Sequence, residues 1–470
     1  MPAWYVTSTI DALAAGGDRT ALIYRDHQIS CQELLDEVYR SACVLRRRGL
    51  NRGDGLVLVA GNEPAGVVIR LAAFLLGLRF TPVVATDPDT LAHITADADP
   101  ALVLNGGLDT TGVSPEPLPV QAQDDDIARV LYTGGTTGVP KGVPATYRAL
   151  GASARSWAQS DVPIPAGLRF ILATPFAHGS GDAALGMLGA GATLHLLDEF
   201  SPAAFVDAVQ SGPVAVSYLY PSWLYRVLET GADLSSLVFL SYGSAPIAPD
   251  RLTDTIARLG TNLVQTYATT EAPAIALLSP ADHAAIAEGR TDLLRSVGKP
   301  LPGVEVEIRD QQGEVGEVWV RAASVMTGYW RRPDLTAEML VDGWLRTGDL
   351  GRIDADGYLY LLGRGYLYLL GRGRDIIIVD GHNHYATPLE DALASQPGVR
   401  EAAVVGIPDD RTGEAVHAYV VGRRPTELPA TPAMTVHVVA ALPLTALGKV
   451  DKQRLREDAI NPVSAQLPLP

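Results

Sequence analysis

Residues Ile127–Gly142 read IARVLYTGGTTGVPKG, and the two halves of this stretch demand different backbones. Ile127–Tyr132 is a short apolar run that predicts a strand. Thr133, Gly134, Gly135, Thr136, Thr137 and Gly138 follow, and Lys141 comes next. Glycines let the chain curl so that N–H groups converge on an anion, threonine hydroxyls donate to phosphate oxygens, and a lysine adds charge. A Walker loop requires G-x-x-x-x-G-K-[ST], whereas Pro140 precedes Lys141 here. The segment therefore predicts a phosphate loop of another type. An unliganded Gly/Thr-rich turn would have the same composition, so the surrounding chain has to decide.

Working outward, short apolar runs recur at Leu56–Ala60, Ala101–Leu104, Arg169–Ala173, Val214–Leu219 and Val238–Tyr242. Helical patterns lie among them at Pro64–Gly77, Pro202–Gln210, Ser222–Thr230 and Pro249–Leu259. Alternation of this kind predicts an α/β protein with parallel-rich sheets. From Pro302 to Arg321 the pattern is strand-only, with a turn at Gln312-Gly313, which predicts a β subdomain. Thr387, Pro388 and Glu390 resemble a capped helix start, and strands are expected at Ala402–Ile407, Ala415–Val421 and Met434–Val439. The reading is a large N-terminal domain over residues 1–373 and a small α+β C-terminal domain over 374–470.

The net charge is −16. Nucleic-acid and anionic-membrane binders gain affinity from lysine and arginine, so both partners are expected to be absent. Two cysteines, Cys31 and Cys43, make neither a disulfide framework nor a zinc site. No basic residue precedes the apolar run in Met1–Leu13, so a cytoplasmic protein without a secretory signal is expected. Ala65–Leu78, interrupted by Arg70, suits a buried helix rather than a membrane span of about 20 residues. Gly357–Arg364 and Gly365–Arg372 are identical, GYLYLLGR twice over. Solenoid repeats have periods of roughly 20 residues or more, so this is a local duplication. The expectation is that the second copy keeps the strand and the first bulges out.

The loop at Thr133–Lys141 resembles that of the adenylate-forming superfamily, which includes acyl-CoA synthetases, adenylation domains and amide bond synthetases. Further segments follow in that superfamily's order. Pro175-Phe176-Ala177-His178-Gly179 resembles its acid-pocket motif and Gly243-Ser244-Ala245-Pro246 its adenine-cradling segment. Gln265–Glu271 resembles its Y-G-x-T-E motif. Gly343–Leu350 resembles its ribose motif, Gly371–Asp375 its hinge, and Pro443–Lys449 its catalytic-lysine loop.

The resemblance implies a reaction in which a carboxylate attacks the α-phosphate of ATP and expels pyrophosphate. Catalysis then rests on positioning and charge stabilisation. It implies that Thr133, Gly134, Gly135, Thr136, Thr137, Gly138 and Lys141 hold the pyrophosphate. Glu271 would ligate Mg²⁺, which suits a hard carboxylate oxygen, and Thr270 would bond the α-phosphate. Gly243, Ser244 and Ala245 would line the adenine, with Tyr267 stacked on it. Asp349 would accept the ribose hydroxyls and Arg372 would approach the ribose-phosphate. Lys449 would bridge acid and α-phosphate, and the small domain would swing about Arg374. The acid pocket would include His178, Asp182, Tyr218, Tyr220 and Tyr242, whose aromatic character points to an aromatic or planar acid. For single residues, structural roles remain open: a turn aspartate at 349, a packed histidine at 178, a cap at Glu271, an exposed lysine at 449. The resemblance implies transfer of the acyl group to CoA, a free amine or a separate carrier protein. Tyr147 and Ala268 stand where the superfamily usually has histidine and glycine, and His382–Pro388 departs from its usual N-x-Y-P-x-E. CoA comes first as the commonest acceptor, and the altered loop keeps the amine open.

Overall fold

The computed structural model describes residues 1–84, 88–133, 140–162, 164–165, 167–364, 376–379, 382–409, 412–426, 434–445 and 450–460. Strand Ile127–Thr133 lies in a five-stranded sheet ordered Leu102–Asn105, Gly55–Val59, Arg79–Val83, Ile127–Thr133, Lys141–Thr146. The first four run parallel, and the last returns antiparallel with Thr133 opposite Lys141. The two strand ends thus form the neck of the predicted loop, while residues 134–139 lie outside the described residues. Helix Pro64–Leu76 is buried from Gly66 onward, as its apolar run predicts. Proline in its first turn fixes φ for the helix, and Gly77 at φ 71° closes it in the left-handed region.

The second sheet has a parallel core of Thr193–Leu196, Arg169–Leu172, Ala215–Leu219, Leu237–Gly243 and Leu263–Tyr267. Helices Pro202–Gln210, Pro221–Leu228 and Pro249–Leu259 alternate with these strands, each with proline in its first turn. Helix Pro249–Leu259 buries Leu252, Thr255 and Ile256, the i, i+3, i+4 stripe of an amphipathic helix. Beyond Leu263–Tyr267 the sheet turns antiparallel through Ala276–Leu278, Ser296–Pro300, Leu359–Arg364, Trp344–Ile353, Val315–Ala322 and Val304–Gln312. The predicted β subdomain is this continuation rather than a detached sheet.

The doubled segment corrects the sequence expectation. Its first copy supplies strand Leu359–Arg364, which pairs with Ser296–Pro300 and Trp344–Ile353. Ser296 Oγ donates to Leu359 O at 2.9 Å, and Tyr358 Oη donates to Asp282 Oδ1 at 2.6 Å. The second copy lies outside the described residues.

A separate five-stranded sheet follows: His382–Tyr385, Ile376–Val379, Gly413–Gly422 and Val399–Asp409, with Met434–Val439 parallel to Gly413–Gly422. Alternate residues of Val399–Asp409 face opposite sides, as a strand requires. Val404 packs in one cluster with Leu393, and Val405 packs in another with Leu455. The first helix of this domain spans Ala386–Ala394, so Thr387 lies inside it and is not its cap. Glu390 does not close a capping box. Its carboxylate accepts the Val404 N–H at 2.8 Å and pairs with Lys452 at 2.8 Å. A true capping box stands at Ser30–Glu33, opening helix Cys31–Arg47. Among the described residues no helix is long and apolar enough to cross a membrane.

Candidate active site

Tyr218, Gly243 and Tyr267 stand at the C-terminal ends of adjacent parallel strands, the end of an open α/β sheet where ligands bind. Gly243 is required there by close approach. A Cβ would lie 2.4 Å from Thr266 O on the neighbouring strand. Ser244 follows in the left-handed region, at φ 65°, and its Oγ accepts from Tyr218 Oη at 2.7 Å. Burial pushes the Tyr218 phenol up to about 12, so it is a neutral donor at pH 7. Ser244 is exposed and Ala245 half-buried, leaving a backbone ledge at the sheet edge.

Tyr267 is buried and donates through Oη to Asp349 Oδ2 at 2.6 Å. The Asp349 N–H donates to Thr347 Oγ1 at 3.1 Å, and Thr347 Oγ1 donates to Val318 O at 2.8 Å. The strand Trp344–Ile353 thereby carries Asp349 to the tip of strand Leu263–Tyr267. A charge-assisted bond of this kind holds both side chains in one geometry.

Glu271 and Thr270 are half-buried just beyond that strand. Glu271 Oε1 accepts from Tyr329 Oη at 2.7 Å, and Glu271 O accepts from the Met326 N–H at 2.8 Å. Lys141 Nζ stands 5.7 Å from the Tyr329 ring centroid. The cap on Ala272 is made by Thr269, whose Oγ1 accepts its N–H at 3.0 Å, so Glu271 is not needed for that turn. Glu271 Oε2 has no hydrogen-bond partner among the described residues. A hard carboxylate oxygen suits Mg²⁺, which is commonly bound through one or two carboxylates plus substrate phosphates. Among the described residues no group of three or more His, Cys, Asp or Glu side chains is placed to hold a metal ion by itself.

Two residues expected in the acid pocket make core contacts. Asp182 does not present a free carboxylate. It pairs with Arg70 and with Arg129, the latter at 2.7 Å, and both arginines are buried. Tyr242 is fully buried in the core below the sheet, where its Oη meets His283 Nε2 at 2.9 Å. His283 Nδ1 donates to Ser279 O at 2.7 Å, so Nε2 is the acceptor. Burial lowers this imidazole to about 4. Tyr218 stays at the strand ends and Tyr220 is buried, stacked edge-on to both Tyr218 and Trp223. His178 is half-buried at the start of helix Gly179–Gly189. Tyr147, also singled out, is buried and donates to Leu78 O at 3.2 Å.

Thr133 and Lys141 are placed at the loop neck, but Gly134, Gly135, Thr136, Thr137, Gly138, Arg372, Arg374 and Lys449 lie outside the described residues. Arg364, the first-copy counterpart of Arg372, is the register partner of Asp349. Sequence reasoning missed Tyr329, which lies in no motif singled out there. Its Gly328-Tyr329-Trp330 context gives no spacing signal, and only the fold brings it to Glu271.

The profile of the AMP-binding enzyme family matches residues 11–115 and 105–330. That of the AMP-binding enzyme C-terminal domain matches residues 388–449. A medium/long-chain-fatty-acid–CoA ligase of Mycobacterium tuberculosis is 35% identical over 404 residues, 78% of this chain and 66% of the ligase. The chain thus spans just under two thirds of that relative's length. A feruloyl-CoA synthase of an Amycolatopsis species is 32% identical over 445 residues, 86% of this chain and 85% of the synthase. The solved amide bond synthetase of Marinactinospora thermotolerans superposes with a TM-score of 0.85 at 33% identity, covering 97% of this chain and 99% of its own. Sequence motifs, sheet-end geometry and these likenesses agree: the chain belongs to the AMP-binding enzyme family.

Proposed function

We propose that this protein is an AMP-forming ligase that activates a carboxylic acid with ATP and then transfers the acyl group. An acid carboxylate oxygen bonds to the α-phosphorus. The bond from that phosphorus to the bridging oxygen breaks, and pyrophosphate leaves with the electron pair. The carrying observation is the Tyr267–Asp349 pair at the end of strand Leu263–Tyr267, 2.6 Å apart, with Glu271, Tyr329 and Lys141 beside the loop neck.

In this reading the Gly243–Ala245 ledge and the Tyr267 ring hold adenine. The Asp349 carboxylate accepts the ribose hydroxyls, its second oxygen already oriented by Tyr267. Thr133, the loop 134–138 and Lys141 take the pyrophosphate, and Thr270 the α-phosphate. Mg²⁺, held by Glu271 Oε2, would neutralise charge on the leaving group. His178 and Tyr218 line the acid side. Lys449 bridges the acid and the α-phosphate, Arg372 approaches the ribose-phosphate, and Arg374 is the pivot between residues 1–373 and 374–470. The acceptor we favour is CoA, in keeping with the two CoA-forming relatives. A free amine is the second reading, supported by the end-to-end likeness to an amide bond synthetase. A cytoplasmic location completes the proposal.

The test is pyrophosphate release across a panel of acids, run with CoA, with amines and with neither. Acid-dependent AMP and pyrophosphate support the proposal, and the acceptor that raises turnover identifies the second step. Formation of ADP and an acyl phosphate would overturn it.

A further inference from the structure

We infer that Tyr329 is a positioning residue for the activation step, setting the carboxylate of Glu271 at its hydroxyl and the ammonium of Lys141 over its ring. The inference rests on the acid-activation reading above. Tyr329 is 7% exposed, and its hydroxyl donates to Glu271 Oε1 at 2.7 Å. That bond leaves Oε2 as the oxygen of the half-buried carboxylate without a protein donor among the described residues. The ring itself lies under the ammonium of Lys141, 5.7 Å from the ring centroid. One side chain therefore touches the anion that would hold the metal and the cation that would hold the phosphate.

The segment carrying Tyr329 is pinned to both partners through its backbone. The Met326 N–H donates to Glu271 O at 2.8 Å, and the Trp330 N–H donates to Gly142 O, next to Lys141, at 2.9 Å. The Tyr329 N–H donates to Thr336 Oγ1 at 2.9 Å, and Trp330 Nε1 donates to Asp97 O at 2.9 Å. Residues 326–330 thus form a strap from the turn after strand Leu263–Tyr267, which bears Glu271, to the first sheet, which bears the loop neck. Glu271 is half-buried, so the oxygen that Tyr329 does not engage is open to solvent or to a ligand. Here the phenol engages one oxygen and fixes the rotamer of the other, the arrangement by which outer partners orient metal ligands.

The experiment compares wild type with Tyr329→Phe, which removes the hydroxyl and keeps the ring under Lys141. Two Mg²⁺ titrations are run: acid-dependent ATP–pyrophosphate exchange, and the rise in melting midpoint caused by ATP. The half-saturating Mg²⁺ concentration should increase about 10- to 100-fold in both, the usual scale for losing an outer partner of a metal ligand. The midpoint without ligands should stay near wild type, as should transfer from preformed acyl-AMP. An unchanged half-saturation in the variant, with wild type active, overturns the role of Tyr329 alone. Equal loss of both half-reactions also overturns it, because that marks a structural residue. A wild type with no acid-dependent exchange overturns the acid-activation reading, and the inference with it.

Discussion

Replacing Asp182 by asparagine tests whether this residue belongs to the substrate pocket or to the core. Its carboxylate lies between Arg70, 0% exposed, and Arg129, 1% exposed. Arg70 is enclosed by the rings of Phe74, Phe80 and Phe176, 5.2, 5.7 and 5.3 Å from its guanidinium carbon. Arg70 Nε and Nη1 and Arg129 Nη1 already lack hydrogen-bond partners among the described residues. Asparagine keeps the shape and the main-chain carbonyl that accepts from Tyr5, but leaves two buried cations without a counter-charge. Breaking a buried pair by removing one partner costs about 3–5 kcal/mol. In a domain of this size that lowers the melting midpoint by about 5 °C. Thermal melts followed by circular dichroism measure it, alongside KM for the preferred acid at a temperature where the variant is folded. A loss below about 1 kcal/mol, the scale of an exposed pair, together with a changed KM, would refute the reasoning and return Asp182 to the pocket.

His283 stays neutral in the fold down to about pH 4, whereas an unfolded histidine takes its proton near pH 6.5. Its contribution is present above pH 6.5 and is lost as pH falls toward 4, about 3 kcal/mol in all. The stability gap between wild type and His283→Gln should therefore narrow over that window, and parallel curves would refute it. Deleting either copy of GYLYLLGR produces the same chain, because the copies are identical. One copy suffices for strand Leu359–Arg364 and its two neighbours. The shortened protein should thus keep the wild-type midpoint or exceed it and retain acid-dependent pyrophosphate release, and loss of folded protein would show that both copies are needed.

Much of the fold was legible because its signals are local. Helices Pro202–Gln210 and Pro249–Leu259 begin with proline and end where their apolar stripe ends, all within one short window. Strand Met434–Val439 and the turn at Gln312-Gly313 are of the same kind. The candidate site was legible as motifs in a shared order, and Tyr267 and Asp349, which meet in the fold, each lie in one of them. The helix start at Ala386 was misread because Thr-Pro-x-Glu has the form of a cap, while Glu390 is used by Val404 and Lys452 instead.

By itself the sequence determined the strand pair flanking the Gly/Thr-rich loop, the alternation of strand and helix, and the residue types at the sheet ends. Only the tertiary structure decided what those side chains touch. Asp182 meets Arg70 and Arg129 across 112 and 53 residues, and Tyr329 meets Glu271 across 58. Tyr242 lies one residue before Gly243 but points into the core, because successive side chains on a strand face opposite ways and a parallel sheet is covered on both faces. The two copies of GYLYLLGR offer the same local preferences. The choice of the first for the strand rests on pairing with Ser296–Pro300 and Trp344–Ile353, a long-range hydrogen-bond pattern that identical short segments cannot distinguish on their own.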